Sequence, residues 1–207
     1  MYDIVSYGAD PTGATDSTAA IQAAINAASA AGGGTVHVPE GTFTVTGIYS
    51  AQVCIAIPDN IHIQGENWLT SIIQIASGQT GFLYMLINKN AADGKTGTAR
   101  WNTGIVIRDV QLTSKTVGPL AAGNTHNGIY FWPCSQSLIE HCYVHDLPGD
   151  GSTEHFGMEV WGDDSGTSSN VHDIHATAMR FNRVVNCGSG IGVANATNVD
   201  IVGNELL

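Results

Sequence analysis

Apolar residues along this chain recur in short alternating segments separated by a nearly fixed step. Gly190-Ile191-Gly192-Val193 precedes Ile201-Val202-Gly203-Asn204-Glu205-Leu206, with ten residues from Ile191 to Ile201. The same ten separate Ile129 of Gly128-Ile129-Tyr130-Phe131 from Ile139 of Ile139-Glu140-His141-Cys142-Tyr143-Val144. Between Gly157-Met158-Glu159-Val160 and Met179-Arg180-Phe181-Asn182-Arg183-Val184 the gap opens to twenty-one, and Ile107-Arg108-Asp109-Val110-Gln111-Leu112 is a half copy. Met179 to Ile201 is twenty-two residues, so one unit is about that long. A period in this range, built of β-favouring segments, predicts a solenoid.

Alternation sets the faces. In Ile129-Tyr130-Phe131 the first and third side chains point one way and the second the other. No segment buries its apolar face alone, but stacked coils do. Ile129 then lies over Met158 and Ile191, and Ile107 over Ile139, Met179 and Ile201, with parallel strands about 4.8 Å apart. Asn182 and Asn204 share a position after a strand, where Asn tolerates a bend and bonds backbone or its stacked twin. The fold class expected is all-β: a right-handed parallel β-helix with an N-terminal capping α-helix. One domain is expected over 1–207, with 1–45 as cap and first coil and 46–207 as coils expected to be truncated at the C-terminal end.

Ile4, Val5 and Tyr7 open the chain as a short alternation, followed by the loop Gly8-Ala9-Asp10-Pro11-Thr12-Gly13. Asp16-Ser17-Thr18 then supplies a helix N-cap, Ile21 and Ile25 share one helix face with Ala20, Ala24 and Ala28, and Gly32-Gly33-Gly34 ends the helix. So slim a helix suits the open end of a solenoid. Thr35–Val38 and Thr42–Val45 follow as strands around Pro39-Glu40-Gly41, residues 53–75 read as a further coil, and 88–103 as a polar loop. The string from Tyr7-Gly8-Ala9-Asp10 through Thr15-Asp16-Ser17-Thr18 and Gly32-Gly33-Gly34-Thr35-Val36-His37-Val38-Pro39-Glu40-Gly41-Thr42-Phe43 resembles the N-terminal signature of the pectate lyase-like superfamily. That group includes polygalacturonase-related hydrolases, polysaccharide lyases, alginate epimerase modules and phage tailspike depolymerases. The resemblance implies the fold and a polysaccharide substrate. It carries no catalytic residue across, because the paired Asp and Gly-His-Gly of polygalacturonases and the Tyr-Gly-Phe-Asp-Pro-His string of alginate epimerases are both missing.

Candidate chemistry follows from insertions. Leu112 to Ile129 takes seventeen residues and Val144 to Met158 fourteen, against seven from Val184 to Ile191. Loops on adjacent coils wall a groove. Stacking places His126 beside His155, Tyr130 beside Glu159 and Trp132 beside Trp161, with Tyr130, Glu159 and both tryptophans facing outward. Aromatics beside carboxylates suit a sugar polymer. Glu159 is the expected catalytic carboxylate, with Glu154, Asp163 or Asp164 as its second and His155 orienting them. Tyr130, Trp132, Trp161 and His126 are expected to hold sugar. The rival readings are a solvated strand carboxylate, tryptophans that cover a corner, and a neutral hydrogen-bonded His ladder.

Charge narrows the partners. Seven Lys and Arg against eighteen Asp and Glu give −11, which argues against nucleic acid and mildly against strongly anionic polymers unless a cation bridges them. No cofactor is implied, although Asp146, Asp150 and Asp163-Asp164 could gather Ca²⁺ without the ordered spacing of a calcium loop. His141 and His145 lie about 13 Å apart on a strand, too far for one zinc, and His172 and His175 could bind a metal only in a folded loop. Arg108, Glu140 and Arg180 form an outward column of alternating sign. The four cysteines read as buried thiols, with a Cys134–Cys142 bridge as the other option. Neither a signal peptide nor a membrane span is evident, so no membrane partner is expected, and the setting is extracellular or virion-associated. A tailspike origin would imply a homotrimer. The leading expectation is glycoside hydrolysis. Elimination on a uronate polymer is the nearest rival, and a non-catalytic glycan-binding or structural module is the rival of another class.

Overall fold

The computed structural model describes residues 1–47, 52–94, 101–151, 155–162, 177–194, 196 and 198–207. Among the described residues three parallel sheets of seven, seven and five strands run along it, and each inner coil contributes one strand to each. The first sheet takes in Gly34–Val38, Ile61–Gly65, Val106–Arg108, Leu138–Glu140, Thr177–Arg180 and Val199–Val202. The second takes in Gly41–Val45, Ser71–Ile75, Gln111–Ser114, Tyr143–Leu147 and Arg183–Cys187. The third consists of Val53–Ile57, Phe82–Asn88, Thr125–Phe131, Phe156–Trp161 and Ser189–Ala194. This is a parallel β-helix.

The register matches the hydrophobic pattern. Ile129 pairs with Met158 and Met158 with Ile191. Ile107 pairs with Ile139, Ile139 with Met179, and Met179 with Ile201. Ile129, Phe131, Met158, Val160, Ile139 and Val144 lie in one continuous core, buried almost completely. The Gly before each such Ile or Met follows from the crowding inside the coil. A Cβ on Gly128 would sit 2.3 Å from the Gly157 carbonyl, and one on Gly157 would sit 2.4 Å from Val184 Cγ1. Those positions carry no side chain because the second sheet already fills the space.

Corners between the first and second sheets are sharp. Asp109 (φ 58), His141 (φ 50), Phe181 (φ 53) and Gly203 (φ 64) all take left-handed backbone there. The next residue bridges coils. Asn182 Oδ1 accepts from the Cys142 N–H at 2.9 Å, and Asn204 Oδ1 accepts from the Asn182 N–H at 2.9 Å. Their amides donate to the Ile139 and Met179 carbonyls at 3.0 and 2.8 Å. Otherwise buried corner groups are thereby satisfied.

The N-terminal helix α1, Thr18–Ala30, buries Ile21, Ala24, Ile25 and Ala28. Its Gln22 meets the free edge of the third sheet. Gln22 Nε2 donates to the Ala56 carbonyl and the Ala56 N–H donates to Gln22 Oε1, both at 2.9 Å. One side-chain amide thus satisfies both backbone groups of a strand with no neighbour on that side. The cap differs in detail from expectation. Asp16 Oδ1 accepts the Thr18 N–H at 2.9 Å, while Ser17 Oγ turns away to accept the Asp10 N–H at 2.9 Å. Asp10 in turn accepts from the backbone and hydroxyls of Thr12 and Thr15, and those bonds, led by the Thr12 hydroxyl, hold its carboxyl far below the usual range. The Asp-Pro-Thr-Gly-Ala-Thr-Asp-Ser-Thr string is therefore scaffold.

Three segments depart from the sequence pattern. Ile4–Tyr7 is a 3₁₀ turn with only Ile4 buried, because the chain turns under α1 after two paired residues. Phe82–Asn88 is a strand of the third sheet, and Lys89–Ala92 is a one-turn helix, α2, within the stretch expected to be a loop. All four cysteines are free, so the Cys134–Cys142 bridge is not formed. Burial pushes the Cys54 and Cys142 thiols up to about 12. On the outside of the first sheet the charge column forms, with Arg108 Nη2 at 3.3 Å from Glu140 and Arg180 paired with Asp200. Among the described residues no helix is long and apolar enough to cross a membrane.

Candidate functional site

Tyr130 and Glu159 are register partners on the outer face of the third sheet, and Gly192 follows them in the column. They are not exposed, however, which corrects the expected open ribbon. Tyr130 keeps 6% of its surface and Glu159 4%. A second apolar cluster covers that face: Val53, Ala56, Ile87 and Tyr130, with Tyr84, Ala91, Ala92, Trp132 and Trp161 packed against them. The Tyr84 and Tyr130 rings lie 4.5 Å apart and the Trp132 and Trp161 rings 6.4 Å apart. Both tryptophans pack against that cluster and stay half-buried. The local cause is α2, which brings Ala91 and Ala92 down onto the sheet. Burial, with the Glu159 charge second, pushes the Tyr84 phenol up to about 12. A carboxylate in such surroundings shapes the electrostatics of its neighbours.

The two histidines also part from expectation. His126 is fully buried; its Nδ1 lies 3.1 Å from Ser114 Oγ and its Nε2 3.3 Å from the Gln79 carbonyl, and burial lowers its pKa. Its ring is buried and held between those two partners, away from the surface where a sugar was expected to meet it. His155 lies between Gly149 and Gly188: a Cβ on either glycine would come within 2.3 Å of the imidazole. It therefore lines the loops between second and third sheets. Glu154, Asp163, Asp164, His172 and His175 lie outside the described residues.

Those loops line a half-open cavity of about 520 Å³ whose polar wall is Ser114, Thr116, Asp146, His155 and Asn186. Asp146 (φ 52) and Asn186 (φ 51) occupy matching left-handed positions at the ends of adjacent strands. Asn186 Nδ2 donates to Asp146 Oδ1 at 2.7 Å, and His145 Nδ1 lies 2.7 Å from Asp146 Oδ2. Those bonds, the Asn186 one first, hold the Asp146 carboxyl below its usual value. The cavity thus presents an ionised carboxylate, an imidazole, an amide and hydroxyls, with no Lys or Arg among the described residues of its lining. Such a set can hold sugar hydroxyls and move a proton. Asp146 entered the sequence reading only as a calcium ligand, and Asn186 not at all. The available signal was their shared place, three residues beyond the paired Tyr143 and Arg183. Asp150 Oδ2 accepts the Gly123 N–H at 2.5 Å, and among the described residues no three His, Cys, Asp or Glu side chains converge as metal ligands.

Comparison with known proteins agrees with the fold. A family model described as rhamnogalacturonase A/epimerase, pectate lyase-like, matches residues 1–206. Mannuronan C5-epimerase AlgE1 of Azotobacter vinelandii is 44% identical over 80 residues, which is 38% of this chain and 6% of that protein. Alginate lyase 7 of the same organism is 41% identical over 78 residues, 37% of this chain and 9% of its own length. The chain therefore matches only a small part of these relatives. Among solved structures, the A-module of the A. vinelandii epimerase AlgE6 aligns over 100% of this chain and 77% of its own, with a TM-score of 0.57 at 18% identity. A mutant tailspike of Escherichia coli bacteriophage HK620, solved with a pentasaccharide, aligns over 99% and 45%, with a TM-score of 0.60 at 16% identity.

Proposed function

The chain belongs to the rhamnogalacturonase A/epimerase, pectate lyase-like family, and from that membership we propose that it processes a polysaccharide, by glycoside hydrolysis, at the cavity between its second and third sheets. The observation that carries the reading is the character of that cavity. Among the described residues of its lining the formal charge is one carboxylate held ionised by two hydrogen bonds, with no Lys or Arg beside it. A neutral sugar fits such a wall; a uronate would bring a second negative charge against Asp146. In this reading Asp146 is the carboxylate that activates water or steadies positive charge on the sugar ring, and His155 carries the proton to the leaving oxygen. Asn186, Ser114 and Thr116 bind hydroxyls. The setting that goes with such a substrate is extracellular or virion-associated.

A second reading has its own support. The sequence relatives are named as mannuronan epimerases and an alginate lyase, and those names favour proton abstraction from a uronate, with inversion or elimination. A third keeps the chemistry on Glu159 with Glu154, Asp163 or Asp164.

One experiment separates them. Wild type, Asp146→Asn and Glu159→Gln are incubated with neutral glucans, an O-antigen polysaccharide, polygalacturonate and alginate, and assayed for new reducing ends, unsaturated ends and C5 inversion. Hydrolysis at the cavity gives reducing ends without unsaturation, and Asp146→Asn lowers the rate about 10²- to 10⁴-fold. Unsaturated ends or inverted uronates overturn hydrolysis, and full activity in Asp146→Asn with loss in Glu159→Gln moves the chemistry to the third sheet.

A further inference from the structure

We propose that the outer face of the second sheet is a glycan-binding strip that continues the cavity, with Tyr143, Trp68 and His145 as its sugar-facing groups. The three outer faces of the β-helix differ in kind. The first carries the ion-paired column Arg108, Glu140, Arg180 and Asp200. The third is roofed by its own apolar cluster. The second holds half-buried aromatic rings among hydrogen-bonding groups, with one ion pair, Arg183 with Glu205, beside them and the Asp146 carboxylate at the end of the row.

Its geometry is contiguous. Tyr143 pairs with Gln111 on one side and Arg183 on the other. The Trp68 ring meets Tyr143 edge-on at 6.2 Å, and the His145 ring stacks on Tyr143 at 4.3 Å. Arg183 lies 5.4 Å from the Tyr143 centroid and is steadied by Glu205 at 3.4 Å. Gln111 Nε2 lies 2.8 Å from His145 Nε2; with Gln111 donating there, His145 Nδ1 carries the proton and donates to Asp146. The row Trp68, Tyr143, His145, Asp146 therefore ends on the carboxylate that lines the cavity.

Side chains held to one another in this way lose little freedom when a ligand arrives. A pyranose suits them on both counts: with His145 and Arg183 against the Tyr143 ring, its C–H face packs on Trp68 and the outer rim of Tyr143, and its hydroxyls meet Gln111 and Arg183. Tyr143 to Asp146 spans on the order of 10 Å along the strand, enough for a chain to reach from the cavity across the sheet. The direction of the strip rests on the cavity reading; its binding role does not.

The test uses the full chain in affinity electrophoresis through gels holding a soluble neutral β-glucan, an O-antigen polysaccharide, polygalacturonate or sodium alginate, with tryptophan-fluorescence titration of any polymer that retards it. Tyr143→Ala and Trp68→Ala are each expected to weaken binding about threefold to tenfold. Tyr143→Phe keeps it, and Arg180→Ala, on the first sheet, leaves it unchanged. Thermal midpoints of the variants show that they fold. Absence of retardation in all four polymers overturns the proposal, as does wild-type binding in a folded Trp68→Ala, Tyr143→Ala double variant or equal loss in Arg180→Ala. Failure of hydrolysis is distinguishable: it removes turnover from every polymer while the retardation and its loss in Tyr143→Ala remain.

Discussion

The outer faces of the second and third sheets follow the same rule of alternation and come to opposite ends. Tyr143 and Tyr130 are both outward residues flanked by inward core positions, Val144 and the pair Ile129 and Phe131. Tyr143 stays half open among His145, Gln111 and Arg183, whereas Tyr130 is sealed beneath Tyr84, Trp132 and the small side chains of α2. Pointing away from the solenoid core is thus not the same as reaching solvent. What decides is whether an insertion folds back over the sheet, as the stretch after Phe82–Asn88 does.

The comparison breaks most sharply on truncating the two tyrosines. Tyr130→Ala is expected to cost about 3–5 kcal/mol, as for a large buried aromatic, and Tyr143→Ala less than about 1 kcal/mol. Guanidinium unfolding of both variants checks the pair, and equal losses would show the third face to be as open as the second. A smaller effect is expected where the third sheet bends. Gly157→Ala drives a methyl into Val184 Cγ1 at 2.4 Å and should destabilise by about 1–3 kcal/mol, measured the same way.

Acid sensitivity should arise in two windows and is the mildest effect. The folded pKa of His126 is depressed by burial, so its stabilising contribution is intact above the unfolded value of about 6.5 and is lost as pH falls through the lower folded value. Asp146 and Asp10 are depressed by hydrogen bonds, so theirs holds above about 3.9 and is lost only at stronger acid. Thermal midpoints followed from pH 7 to 3 should fall in both ranges. His126→Gln should flatten the upper one alone; an unchanged upper slope in that variant would place the effect elsewhere.

Much of the fold was legible because each coil repeats one periodicity. Ile107, Ile139, Met179 and Ile201 stack as their spacing requires, and Asn182 and Asn204 bridge coils from the corner position that their register indicated. The site was less legible. Tyr130 and Glu159 were correctly paired from spacing, yet their burial depends on a helix inside a segment that reads as polar loop. His155 stands just before its strand, which begins at Phe156, and its ring is set between two glycines that the alignment of strands did not single out.

The sequence by itself determined which residues face the interior and which residues of successive coils meet, because side-chain alternation and the coil period are local properties that each repeat restates. Only the tertiary structure decided which outward face stays open and where a carboxylate meets a cavity. Asp146 acquires its neighbours Asn186, from the next coil, and Gln111, through His145, from the coil before. Those contacts join segments 34 and 40 residues apart, and the roof over Glu159 hangs on one irregular insertion that no periodic signal encodes.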